Sequence, residues 1–222
     1  MKTKTSIIIK RLSDIVISIF LLILLSPLLL TVLLISIIDT GTFPIFIQKR
    51  GLSFDGKLFN LLKIRTVKKN GKGNMETGRN FLLSPGYKEQ VPKYCKLIRQ
   101  YGIDELPQLV NVLKGEMSLI GPRPLDLFDL KYLKEYFPKE NKERMQLNSK
   151  PGILGMWQLF GKRTLGAEDL LYWDKFYEAN FFLLLDIKIV VQTFSFLSGA
   201  SIKEDSIFAE EEVVWNQITN LL

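Results

Sequence analysis

Histidine is absent from this 222-residue chain, and cysteine occurs once, as Cys95. The first absence excludes histidine-based triads, His-ligated zinc and histidine general-base chemistry, and leaves carboxylates as the obvious catalytic groups. The second excludes an intrachain disulfide and fits a reducing compartment. Cys95 itself reads as a small buried hydrophobe rather than a reactive thiol. Charge is missing from Ile15 to Ile38 (IVISIFLLILLSPLLLTVLLISII), a run long enough for a membrane helix. It is too long for a signal peptide, and no small-residue cleavage site follows it closely. The chain also lacks internal repeats and any RNA- or DNA-binding motif.

What remains is one sizeable core with a small appendage. The net charge is +7, and little of it falls in the apolar segment. The cationic surface therefore belongs to the globular part, and suits anionic partners such as a phospholipid surface or nucleotide phosphates. Both flanks of the apolar run are basic: Lys2, Lys4, Lys10 and Arg11 before it, Lys49, Arg50, Lys57, Lys63 and Arg65 after it. Basic flanks favour the cytoplasmic side, and a straight span cannot place both there. A helix broken at Ser26-Pro27 that enters and leaves by one face can. Pro27 deprives the Ile23 carbonyl of its donor, and Ser26 is expected to bond back to Leu22 and sharpen the bend. Asp14 reads as an interfacial residue, or as a partner for Lys10 or Arg11.

The densest cluster of chemistry-bearing residues is Arg99–Pro124, RQYGIDELPQLVNVLKGEMSLIGPRP. It holds the adjacent carboxylates Asp104 and Glu105 at the start of an expected helix over Leu106–Leu113, which stops at Lys114-Gly115. Arg99 lies upstream, and Arg123 stands on a stiff turn between Pro122 and Pro124. Guanidinium groups pair phosphate oxygens two at a time, and a carboxylate can attack phosphorus or hold a divalent metal. The competing reading makes Asp104 or Glu105 a cap or dipole partner for the helix, with Pro107 in its first turn. The two readings are compatible, because a helix N-terminus also attracts phosphate.

Elsewhere, Ile45–Arg65 predicts a hairpin, or two short extended pieces, about a turn at Phe54–Lys57. Lys68–Pro85 is rich in Gly and Asn and reads as a mobile loop. Helices are expected over Pro92–Tyr101, over Leu125–Phe137 as an amphipathic element, and over Asn141–Asn148. Lys150–Arg163 (KPGILGMWQLFGKR) combines small residues, an aromatic and a basic end, which suits a base-stacking, phosphate-contacting wall or a simple turn. Phe181–Leu197 is apolar but interrupted by Asp186, Lys188 and Gln192, so it reads as an interfacial or core helix.

The blocks Asp104–Leu109, Asn111–Ser118 and Gly121–Pro124 resemble the bacterial sugar transferases, the small monotopic phosphoglycosyl transferases that begin glycan assembly on a membrane lipid. The resemblance extends over roughly Lys10–Thr193 and takes in Gln48, Arg50, Gly51, Phe59, Lys63, Arg65, Thr66, Pro151, Gly152, Gly155, Trp157, Gln158, Gly161, Arg163, Trp173, Asp174, Tyr177 and Asn180. It departs at Ile64, at Cys95 where a glycine is usual, and at Gln90-Val91-Pro92, which replaces an Arg-Ile-Thr triplet.

The resemblance implies an α+β, mostly helical fold: a re-entrant helix-turn-helix (1–44), a cytoplasmic catalytic domain (45–200) with interfacial amphipathic helices and a small β-hairpin, and a tail (201–222) of no assigned role. It implies the family's minimal form, on the cytoplasmic face of the bacterial inner membrane. It further implies transfer of a sugar phosphate from a UDP-sugar to undecaprenyl phosphate, with Asp104 as nucleophile and Mg2+ as cofactor. Asp104 and Glu105 are the expected metal ligands, with handling of the acceptor phosphate the other role open to Glu105, and Lys63, Arg65, Arg99, Arg123 and Arg163 the phosphate binders. Ser26 and Pro27 would form the re-entrant kink. Expected partners are anionic lipid, a second copy of the chain and downstream glycosyltransferases, with no nucleic acid. The alternative from a different class is a catalytically inactive membrane adapter of a glycan-assembly complex.

Overall fold

The computed structural model describes residues 4–68, 91–162, 165–181 and 183–199. Gln90, Arg163, most of the Gly- and Asn-rich stretch and the tail from 200 lie outside the described residues.

The apolar N-terminal run forms α1 (Lys4–Leu24) and α2 (Ser26–Thr40), bent by 65° at the break. Pro27 has no N–H to offer Ile23, and the Ser26 hydroxyl donates to that same orphaned carbonyl at 2.8 Å. This corrects the expected bond to Leu22. The backbone ladder resumes with Leu29 N–H on the Leu25 carbonyl at 2.8 Å. Among the described residues no single helix is long and apolar enough to cross a membrane, whereas the bent pair has the length and composition of a broken or re-entrant element.

Both limbs of this pair are fastened to the rest of the protein. Lys10, Asp14 and Ser18 recur every fourth residue and so share one face of α1. Asp14 is buried and accepts from the Ser118 hydroxyl (2.7 Å) and the Leu119 N–H (3.3 Å) of β3 (Ser118–Ile120). It is therefore a core acceptor rather than an interfacial residue, with Lys10 also at 3.5 Å. Lys10 reaches Asp186 of α9 (Leu183–Gly199) at 2.7 Å, and the Tyr177 hydroxyl donates to the other Asp186 oxygen at 2.9 Å. Arg11 donates to the carbonyls of Val112 and Leu113 (2.7 and 3.1 Å), at the C-terminus of α4 (Gln108–Lys114). On the other limb, the Ser36 hydroxyl donates to the Arg65 carbonyl at 2.6 Å.

The expected hairpin is present. β1 (Ile45–Gly51) pairs antiparallel with β2 (Phe59–Ile64), from Ile45 opposite Ile64 to Arg50 opposite Phe59. β4 (Leu125–Asp126) joins the free edge of β1, giving the order β2-β1-β4. A separate pair sets β5 (Gly152–Leu154) parallel to β3. α3 (Lys93–Gln100) follows α2 against β2, where Val32, Ile64 and Ile98 form a small core joined by Ile103. A second core, Phe59, Leu61, Val112 and Met117, lies between β2 and α4. The largest is built by α5 (Leu127–Tyr136), α7 (Met156–Phe160), α8 (Gly166–Ala179) and α9 around Leu130, Leu133, Trp157, Phe160, Trp173 and Tyr177. α6 (Pro138–Met145) covers the hairpin turn, where Asn141 accepts from the Ser53 hydroxyl and the Phe54 N–H at 2.9 and 3.1 Å. Trp157 is 2 % exposed, so its ring belongs to the core and cannot stack on a base. That corrects the base-stacking reading of Lys150–Arg163.

Candidate active site

Gly102, at φ 66°, ends the α3 segment and turns the chain into a single 3-10 turn, Ile103–Glu105. Ile103 packs into the small core under α2, which turns the following carboxylates away from it. Pro107 then opens α4, whose N-terminus receives no side-chain cap. The capping alternative for Asp104 and Glu105 is thus not what the structure adopts.

One buried side chain holds α4 against β2. Asn111 accepts from the Leu62 N–H (3.0 Å) and donates to the Asn60 carbonyl (2.7 Å), filling the backbone bonds a neighbouring strand would make. This fixes Lys63 beside the carboxylate turn, with Lys63 Nζ 2.6 Å from Glu105 Oε1. Asp104 is 8 % exposed. Arg99 donates to the Thr66 hydroxyl at 3.4 Å, and its positive charge acts on Asp104.

Arg123 adds its positive charge at Glu105. The Pro122–Pro124 turn that carries it is gripped through its backbone by two further arginines. Arg50 donates to the Pro124 carbonyl at 3.0 Å, and Arg144 to the Arg123 carbonyl at 2.5 Å. Arg144 is fully buried, donates also to the Leu52 carbonyl, and pairs with Asp174 at 2.8 Å. Behind the turn the backbones of Gly121 and Gly152 pack so closely that a Cβ on Gly152 would lie 2.1 Å from the Gly121 nitrogen. The Arg123 guanidinium stands 5.7 Å from the Trp157 ring centroid.

The two carboxylates are driven apart electrostatically. Burial pushes the Asp104 carboxyl up to about 6, against the pull of Lys63 and Arg99, and the neighbouring Glu105 charge adds to the rise. Burial also raises Glu105, but Lys63, Arg123 and Arg50 outweigh it and hold that group at about 2. One carboxylate thus stays ionised while its neighbour titrates near neutrality, a pattern characteristic of reaction centres. Among the described residues no cage of three or more Cys, Asp or Glu ligands forms. Two adjacent carboxylates completed by phosphate oxygens and water are the habit of Mg2+, so Asp104 and Glu105 fit that ion better than zinc or calcium.

The structure therefore brings together Asp104, Glu105, Lys63, Arg99 and Arg123. Arg65 is engaged elsewhere, with Nε on the Phe43 carbonyl at 3.0 Å and its guanidinium 5.4 Å from the Phe46 ring centroid, toward the end of α2. Arg163 lies outside the described residues. Sequence reasoning passed over Arg144, which sits in a polar helix with nothing to mark it as buried. It also left Arg50 and Asp174 without a role, although both stand in otherwise suggestive blocks.

The bacterial sugar transferase profile matches residues 5–199. The exopolysaccharide production protein ExoY of Sinorhizobium fredii is 34% identical over 202 residues, covering 83% of each chain. The undecaprenyl-phosphate galactose phosphotransferase of Salmonella typhimurium is 32% identical, over 86% of this chain and 40% of its own length. The UDP-glucose:undecaprenyl-phosphate glucose-1-phosphate transferase of Klebsiella pneumoniae is 32% identical, over 85% of this chain and 40% of its own length.

Proposed function

The chain belongs to the bacterial sugar transferase family, a family of sugar-phosphate transferases, and on that premise we propose that it transfers a sugar 1-phosphate from a UDP-sugar to undecaprenyl phosphate. The observation that carries this reading is the carboxylate pair set among cations: Asp104 buried, Glu105 held by Lys63 at 2.6 Å, and the Arg99 and Arg123 charges acting on the pair. The Salmonella and Klebsiella relatives are named for undecaprenyl phosphate, but for galactose and glucose respectively, so the sugar is not inherited from the likeness.

In this mechanism an Asp104 carboxylate oxygen attacks the β-phosphorus of the donor. A bond forms from Asp104 to phosphorus, and the bond to the bridging oxygen breaks, releasing UMP. An oxygen of the polyprenol phosphate then attacks the same phosphorus and frees Asp104. Lys63, Arg99 and Arg123 offset the diphosphate charge, so that one anion can approach another. Asp104 and Glu105 would hold Mg2+, which supplies further neutralisation of phosphate charge. Arg50 and Arg144 fix the turn that aims Arg123.

The acceptor lies in a membrane, and the bent helix pair is suited to meet it. Asp14 and Ser36, the fastening points of the two limbs, are each roughly 15 Å of helix from the break. With a bend of 65° at the break, two limbs entering and leaving by one face each rise at only about 32° to the membrane plane, so a pair fastened there reaches roughly 8 Å, about a quarter of a ~30 Å hydrocarbon core. That depth, and two limbs tied to one domain, support a re-entrant element on the cytoplasmic face of the inner membrane. The exposed residues Ile8, Val16, Ile23, Leu30 and Ile38 supply its lipid-facing surface.

The test is UMP release from a panel of UDP-sugars by the full chain in nanodiscs with Mg2+ and undecaprenyl phosphate. Release with one sugar, abolished in Asp104→Asn, is the expected result. Turnover by the purified Asp104→Asn protein at the wild-type rate would refute the nucleophile assignment.

A further inference from the structure

A second cationic cavity lies away from the carboxylate pair. Its volume is about 220 Å³, and it opens between the β1–β2 turn, the C-terminal end of α4 and the segment before β5. Phe59 lines it at the start of β2, whereas Lys63 serves the reaction site roughly 13 Å further along that strand. Gly115, which follows α4, lines it too, whereas Asp104 and Glu105 precede that helix. The cavity is thus separated from the proposed reaction by the length of both elements.

Three cations converge there. Lys57 and Lys150 line the wall. Arg11 comes from α1, anchored by its bonds to Val112 and Leu113, and faces Lys150 across the space above Gly115. A Cβ on Gly115 would lie 3.4 Å from both Arg11 Nη2 and Lys150 Nζ. Gly115 needs its φ of 80° to close α4, and its missing side chain leaves that meeting point open. The remaining charges in the wall are one carboxylate and one paired guanidinium. Glu116 accepts from Asn111 at 2.6 Å, and Arg144 is paired with Asp174. The Lys150 ammonium is pushed below its ordinary range by burial and then by Arg11 and Lys57, with Asp14 pulling the other way. The three cations therefore repel one another, and the nearby carboxylates of Asp14 and Glu116 offset only part of that charge.

We propose that this cavity binds a phosphate group, seated above Gly115 between Arg11, Lys57 and Lys150. A phosphate directs its acceptor oxygens around a tetrahedron and so meets donors arriving from several sides, whereas a carboxylate presents two oxygens in one plane. Arg11 sits on the helix whose neighbouring residues Ile8 and Leu12 are exposed and apolar, so the cavity borders the surface the hairpin offers to lipid. The phosphate can come from a phospholipid headgroup or from solution, and the experiment separates the two.

The full chain is reconstituted in nanodiscs with its lysines carrying 13C-dimethyl labels, and the Lys150 signal is identified by its loss in Lys150→Arg. Its titration midpoint is followed in discs of phosphatidylcholine or of phosphatidylglycerol, and also in dodecyl maltoside micelles, which carry no phosphate, with and without inorganic phosphate. Binding raises the midpoint by about one pH unit, since a neighbouring anion favours the charged ammonium. A rise with inorganic phosphate in the micelles assigns a soluble ligand, and a rise in the discs over the phosphate-free micelles assigns a headgroup. In either case Lys57→Met, whose other lysine signals remain in place, weakens the response about tenfold. No rise in any arm overturns the proposal. So does a rise untouched by Lys57→Met, or one shared equally by lysines remote from the cavity, which marks general surface potential.

Discussion

Replacing Lys63 by Met leaves the apolar stem and removes the one ammonium in direct contact with Glu105 at 2.6 Å. At Asp104, Lys63 is the strongest influence opposing burial, which still brings the carboxyl to about 6. A nearby opposite charge moves a carboxyl by 1–3 pH units, so its loss should raise Asp104 by roughly 1–2 units, to about 7–8. The nucleophile must be deprotonated, so the acid limb of the pH–rate profile moves to higher pH. At pH 7 the ionised fraction falls from about nine-tenths to between a half and a tenth, a two- to tenfold loss from ionisation alone. Phosphate binding lost with the same ammonium lowers the plateau as well, but it is not recovered at alkaline pH. The assay is kcat/KM for UMP release from pH 5 to 9, because that ratio reports groups in the free enzyme. In the wild type the limb should centre near pH 6 with unit slope. In the variant it should shift upward, with partial recovery toward pH 9. A lowered plateau with an unmoved limb would refute the electrostatic role of Lys63 and leave it as a phosphate binder only.

Further outcomes follow from the same geometry. Asp104→Asn should abolish turnover yet stabilise the fold. The folded carboxyl titrates at about 6 against an ordinary 3.8, so the protein loses stability as pH rises between those values, by up to about 3 kcal/mol above them. The variant's gain in melting temperature should be present at pH 7 and vanish at pH 4; an unchanged melting temperature at pH 7 would contradict the burial account. Arg144→Met strands a buried Asp174 and frees the Arg123 carbonyl. Chemical denaturation should show a loss of about 3–5 kcal/mol, and Arg144→Met/Asp174→Leu should recover much of it. Gly152→Ala drives a Cβ to 2.1 Å from backbone and should prevent soluble expression, whereas Gly56→Ala, whose nearest neighbour is at 3.5 Å, should express and fold as wild type.

Much of this arrangement is written locally in the chain. The β1–β2 hairpin, α3, the α4 stop at Gly115 and the break at Ser26-Pro27 are set by periodicity and by Gly and Pro placement, which act over a few residues. The sequence also marks Asp104, Glu105, Lys63, Arg99 and Arg123, because reactive residue types crowd into short blocks. What escaped are contacts across long separations. Asp14 reads as interfacial or as a partner for Lys10 or Arg11; the Lys10 pairing is there, but the burial against Ser118, more than a hundred residues later, has no local sign. Trp157 reads as a ligand platform until the α8 and α9 side chains close over it. Arg144 looks like a solvated charge until Asp174, Leu52 and Arg123 surround it. In each case burial is a property of the assembled layers, and no local pattern encodes it.

The fastening of α1 and α2 bears on attempts to make a soluble version of the protein. Removing the first forty residues to discard the greasy segment would strip the acceptor from the Ser118 hydroxyl and the Leu119 N–H. It would leave Asp186 without its lysine and the last carbonyls of α4 without their arginine. It would also uncover Ile64, Ile98 and Ile103, directly before the reactive carboxylates. The hydrophobic segment is a structural wall of the catalytic domain, and cutting it away would dismantle the domain it was meant to liberate.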